Sequence, residues 1–139
     1  VLSGACSWDE CAYTIIATVV STAVAGQAVI DAGSKALSRE EARPDGGGFG
    51  AVLDRPEVVV RAVSEEHGIL DLSDTDWSPR VGDLVRVVPN HVCVSVNLQE
   101  RLFAVRDGRL EGGWDVLGRG RAPFATAGSP ARGREAAHP

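Results

Sequence analysis

The sequence predicts a mainly β domain, an antiparallel barrel or sandwich with short helical turns. Thr14–Thr22 carries seven β-branched residues among nine, and such side chains, stiff at χ1, suit a pleated surface better than a helix. From Ala51 onward, short apolar runs follow one another with turn residues between them. Many short strands and few helical periods belong to an all-β architecture.

The elements follow in order. Thr14–Thr22 is an unbroken β-favouring run, expected to be a central strand buried on both faces. A turn at Ala25-Gly26-Gln27 leads into Ala28–Asp31, an antiparallel partner. Asp31 to Gly50 reads as loop, with a helical turn near Arg39–Ala42. Its Pro44-Asp45-Gly46-Gly47-Gly48-Phe49-Gly50 run lacks the lysine and strand-to-helix context of a phosphate loop, so a flexible loop is expected. Further strands are expected at Ala51–Leu53, Glu57–Val63, Gly68–Leu72, Asp83–Val88, Arg101–Arg106 and Arg109–Val116. Pro89 ends the ladder of the Asp83–Val88 strand. Asp107-Gly108 suits a hairpin turn, where both central residues need positive φ. The β domain spans 1–121, and 122–139, rich in Ala, Gly, Pro and Arg, reads as a flexible tail.

The 139 residues, 44% hydrophobic and 24% charged, fit one globular domain with its own core. Fourteen basic against nineteen acidic residues leave a net charge of -5, which argues against nucleic acid as a partner. No apolar run reaches the roughly 18 residues of a membrane span, and the N-terminus lacks a secretory pattern. Three cysteines, Cys6, Cys11 and Cys93, do not form a disulfide framework. A reducing, cytoplasmic home is expected. Lys35 is the single lysine.

Two clusters could carry chemistry. In extended backbone, residues i and i+2 share a face, so Pro89-Asn90-His91-Val92-Cys93 would set an imidazole beside a thiolate at a strand end. Both are zinc ligands; the alternative is a packed cysteine beside a turn histidine. Ser64-Glu65-Glu66-His67-Gly68 places carboxylates beside His67, an acid–base candidate or a polar loop between strands. Trp114 is expected to be a core anchor. Cys6, Cys11 and His138 receive no role.

Taken together, Pro89–Cys93, Asp31-Ala32-Gly33-Ser34-Lys35-Ala36-Leu37-Ser38, Glu65–Gly68, and Trp114-Asp115-Val116 followed by Gly118-Arg119-Gly120 resemble the C-terminal domain of the D-serine dehydratase and D-threonine aldolase family. These are fold-type III pyridoxal-phosphate enzymes of alanine racemase-like architecture, with a cofactor-carrying barrel and a mainly β C-terminal domain. The resemblance runs from about Cys11 to Arg121. It implies a metal pair at His91 and Cys93, with zinc in the dehydratases. Aspartate is typical of the aldolase branch at the position of Cys93, which leans this chain toward the dehydratases. His67 lies in a box common to both branches.

The resemblance further implies that Lys35 is not the Schiff-base lysine, which belongs to the barrel. A barrel of typically ~250 residues has no room here, so the expectation is the C-terminal part of a longer enzyme, inactive alone. The parent would be a pyridoxal-phosphate lyase, homodimeric, acting on a small D-β-hydroxy amino acid, with zinc or manganese at His91 and Cys93. The alternatives are a racemase C-terminal domain, or a non-catalytic β module for dimerisation or regulation.

Overall fold

A computed structural model of the chain describes residues 6–41 and 47–119. The expected tail at 122–139 lies outside the described residues. Eight strands form: β1 (Ile15–Ser21), β2 (Gln27–Ile30), β3 (Gly50–Val52), β4 (Arg55–Val63), β5 (Gly68–Asp71), β6 (Leu84–Pro89), β7 (Arg101–Arg106) and β8 (Arg109–Asp115). The first six close into an antiparallel barrel in the order β1-β2-β5-β4-β3-β6, with β6 pairing back onto β1. Strands β7 and β8 make a separate two-stranded ribbon. Two short helices, α1 (Ser34–Leu37) and α2 (Val92–Asn97), and a 3-10 turn at Trp8–Glu10 complete the elements among the described residues.

The barrel follows from period-2 alternation. In β6, Val85 and Val87 point inward while Leu84 and Arg86 are exposed. Val58 and Val60 of β4, Leu70 of β5, Ile30 of β2 and Val19 of β1 meet them in the interior, each with 0% exposure. Burying side chains of this size stabilises by roughly 1.5–3 kcal/mol apiece. Leu37 and Ala32 join the same cluster from the α1 segment. The hairpin turn is as expected: Asp107 and Gly108 have φ of 49° and 73°.

Several expectations are corrected. Strand β1 is not buried on both faces, because a closed barrel has one interior. Ala17 and Val19 enter it, while Ile16 is 64% exposed on the outside. A helical turn falls on Ser34–Leu37, since Leu37 has a core to enter; of the expected turn, Arg39, Glu40 and Glu41 are exposed and not helical, and Ala42 lies outside the described residues.

The glycine run is not a free loop over Gly48–Gly50. Gly48 is buried with φ +70, and a Cβ there would meet the Val60 carbonyl oxygen at 2.8 Å. Phe49 donates its backbone N–H to that same oxygen at 2.8 Å. Trp114 is not a core anchor. It stands opposite Leu102 on the β7–β8 ribbon and is 65% exposed, because no second layer covers that face among the described residues.

Candidate metal centre

The site lies where β6 ends. Asn90 follows Pro89, and its side-chain Nδ2 donates to the carbonyl oxygens of Gly48 at 2.6 Å and Glu40 at 3.2 Å. One amide thus ties the segment after α1 and the glycine segment before β3 to the end of β6. His91 comes next, in extended backbone with φ -141° and ψ 128°, as the residue capping α2. Its Nδ1 lies 2.9 Å from Oε2 of Glu40, and its side chain is 36% exposed. An imidazole with Nδ1 so engaged presents Nε2 on its opposite edge.

Cys93 is exposed, and it sits in the first turn of α2. The expectation of extended backbone through this residue is therefore corrected: His91 is extended and Cys93 is helical. The period-2 argument does not place the two donors. On its buried face α2 carries Ser95, 0% exposed, whose hydroxyl bonds the Tyr13 hydroxyl at 2.8 Å.

A second set of contacts joins α1 to the β4–β5 turn. Ser34 donates its backbone N–H to the Ser64 carbonyl at 2.8 Å, and Lys35 donates its own to Glu65 at 3.2 Å. Gly33 permits this closeness, since a Cβ on it would lie 2.5 Å from the backbone nitrogen of His67. Lys35 Nζ bonds Glu66 Oε1, and that hydrogen bond and charge raise the lysine pKa above its ordinary value. Glu66 is thereby engaged by Lys35. His67 is exposed at the end of a turn closed by its own N–H bonding Ser64 Oγ at 3.2 Å. The structure joins this loop to the Asp31–Ser38 motif, and Asn90 and His91 to Glu40.

Sequence reading missed Glu40 and Asn90. Fifty residues separate them, so no local spacing links them. No helix among the described residues is long and apolar enough to cross a membrane. Among the described residues no group of three His, Cys, Asp or Glu side chains could hold a metal ion. His91 and Cys93 each carry a donor of a type that zinc takes, an imidazole nitrogen and a thiol, and both side chains reach solvent.

The model of the putative serine dehydratase domain matches residues 12–105. An uncharacterised protein of Mycobacterium tuberculosis is 37% identical over 123 residues, covering 85% of this chain and 91% of that protein. The crystal structure of D-threonine aldolase from Filomicrobium marinum superposes with a TM-score of 0.63 at 34% identity, covering 77% of this chain and 28% of the aldolase.

D-threo-3-hydroxyaspartate dehydratase from Delftia sp. HT23 is similar at a TM-score of 0.66 and 28% identity, covering 81% of this chain and 34% of the dehydratase. Two variants of a D-threo-3-hydroxyaspartate dehydratase are also similar. One has a histidine, the other a cysteine two positions further along, replaced by alanine, and the cysteine variant is in a metal-free form. The chain thus spans about a third of these solved enzymes and nearly all of the mycobacterial protein. With the barrel, the loops around it and two thirds of its length matching one family model, this chain belongs to the putative serine dehydratase domain family.

Proposed function

We propose that this chain is the metal-binding C-terminal domain of a pyridoxal-phosphate-dependent lyase acting on small D-β-hydroxy amino acids. The observation that carries the reading is the part-exposed His91, its Nδ1 2.9 Å from Glu40 Oε2 and its Nε2 without a hydrogen-bond partner among the described residues, two residues before an exposed Cys93. The D-threo-3-hydroxyaspartate dehydratase variants support it: the cysteine variant is in a metal-free form, and its cysteine stands at the same two-residue spacing from a substituted histidine.

His91 and Cys93 would hold the ion, zinc or manganese, through Nε2 and Sγ. When bound, such an ion supplies Lewis acidity to a substrate hydroxyl, while pyridoxal phosphate in a separate barrel domain supplies the electron sink at the α-carbon. The residues of this chain then have limited tasks. His91 and Cys93 fix where the hydroxyl-bearing carbon must lie. Lys35, tied to Glu66 and held protonated, does not offer a free amine to the cofactor. The domain alone is accordingly inactive, and it works with a small D-amino acid and a barrel partner in a dimer.

A second reading, a non-catalytic β module for dimerisation or regulation, is favoured by the mycobacterial relative, 91% of which this chain spans. One chimera separates the two. This chain replaces the matching domain of the Filomicrobium aldolase, and breakdown of D-threonine and D-serine is assayed with added Zn²⁺ or Mn²⁺. Metal-dependent turnover that is lost in Cys93→Ala is expected. A folded chimera equally active with Cys93→Ala would overturn the lyase reading in favour of the module.

A further inference from the structure

We infer that Glu40 is a positioning residue that decides which nitrogen of His91 faces a metal, an inference that rests on His91 and Cys93 being the donors. A carboxylate accepts hydrogen bonds and, when ionised, cannot donate them. Glu40 Oε2 lies 2.9 Å from Nδ1 of His91, where a carboxylate oxygen would repel a ring lone pair, so the contact favours the proton on Nδ1. A neutral imidazole carries one N–H, so Nε2 is left with the lone pair that a metal needs. Free of such a partner, the ring would divide between two tautomers and two orientations.

The neighbouring contacts build this arrangement. Asn90, the residue before His91, donates to the backbone carbonyl of Glu40 at 3.2 Å and to that of Gly48 at 2.6 Å. Glu40 thus orients His91 by its side chain while its backbone is held by the residue adjoining His91. Stability does not account for the pair. With the Glu40 side chain 60% exposed, an ion pair there contributes little to folding. A carboxylate behind a metal-binding histidine instead fixes tautomer and ring direction, and losing such a partner typically weakens metal affinity about 10–100-fold.

The test reads the tautomer directly. The metal-free chain, with its histidines labelled with ¹⁵N, is examined by two-bond ¹H–¹⁵N correlation at about pH 8, where imidazole is neutral. Wild type should show His91 protonated on Nδ1. Glu40→Ala should shift it toward Nε2 protonation, and Glu40→Gln, whose amide oxygen still accepts, should retain Nδ1 protonation.

Zn²⁺ affinity is measured in parallel by chelator competition. Glu40→Ala should lose about 10–100-fold, and Glu40→Gln should recover most of it. Circular dichroism of each variant checks the fold. Nε2 protonation in wild type, or an unchanged tautomer and affinity in Glu40→Ala, overturns the inference. If Glu40 sets the tautomer but Cys93→Ala binds Zn²⁺ as wild type does, the donor reading fails, and the proposed role of Glu40 fails with it.

Discussion

Gly33 lies so close to His67 that a Cβ on the glycine would stand 2.5 Å from the histidine's backbone nitrogen. The same atom would meet the carbonyl carbon and oxygen of Glu65 at 2.5 Å. These obstacles are backbone, which cannot swing aside. The Asp31–Ser38 segment can reach the β4–β5 turn only because this position has no side chain, and the bonds from Ser34 and Lys35 depend on that approach.

Gly33→Ala should therefore destabilise the fold by about 1–3 kcal/mol, the usual cost of forcing an extra methyl into packed structure. Gly112→Ala is the control, since nothing lies within 4 Å of its added Cβ. Urea midpoints check both: the first should fall clearly, the second hardly at all.

Asn90→Ala removes both side-chain bonds that tie Gly48 and Glu40 to the end of β6. A loss of about 1–2 kcal/mol is expected, because two carbonyl acceptors lose a protein donor. Hydrogen exchange should show the opening localised. The amide of Phe49, bonded to Val60 of β4, should lose more protection than those of β5.

Asp71 accepts from both the hydroxyl and the backbone N–H of Ser73, at 2.7 and 3.0 Å. The hydroxyl bond first, and then the backbone bond, lower its pKa below the ordinary 3.8. A carboxylate depressed in the folded state contributes stability that is complete above its unfolded value. That contribution disappears as pH falls through the lower folded value. Ser73→Ala should leave the pH dependence unchanged near neutrality, apart from a constant offset. Below about pH 4 the variant should lose stability less steeply than wild type. Thermal melts between pH 2 and 7 read the difference.

Most of the barrel was legible because burial in it alternates. Val85, Arg86 and Val87 announce an inside and an outside, and Asp107-Gly108 announces its hairpin. Misreadings arose where tertiary contacts outweigh local preference. Val92-Cys93-Val94-Ser95-Val96 has the β-branched content of a strand, yet it coils into α2, where Ser95 meets Tyr13 from 82 positions away. Ile16 and Trp114 are apolar but face outward. Ile16 lines a groove with Tyr13, Leu53, Phe103, Val105 and Leu110 beneath the β7–β8 ribbon. Of the candidate site, His91 and Cys93 carry a recognisable spacing. Glu40 and Asn90 do not, since each acts across fifty residues of chain.

Lys35 should not act as a cofactor lysine. Its amine is held by Glu66, and its pKa is raised first by that hydrogen bond and then by the carboxylate charge. Pyridoxal phosphate followed by borohydride should leave no stoichiometric adduct on Lys35, as read by peptide mass mapping. The chain by itself should not turn over D-serine. A one-to-one adduct on Lys35 would show that this amine is available after all.

The claim that His91 and Cys93 together hold a metal is tested most directly by X-ray absorption at the zinc edge. The protein is loaded with one equivalent of Zn²⁺, with Cys6 and Cys11 both changed to serine so that Cys93 is the remaining thiol. The account predicts one sulfur near 2.3 Å and nitrogen or oxygen at about 2.0–2.1 Å, with the sulfur shell vanishing in Cys93→Ala and an imidazole signal vanishing in His91→Ala. A zinc shell with no sulfur in the protein that retains Cys93, or one unchanged by both substitutions, would contradict it.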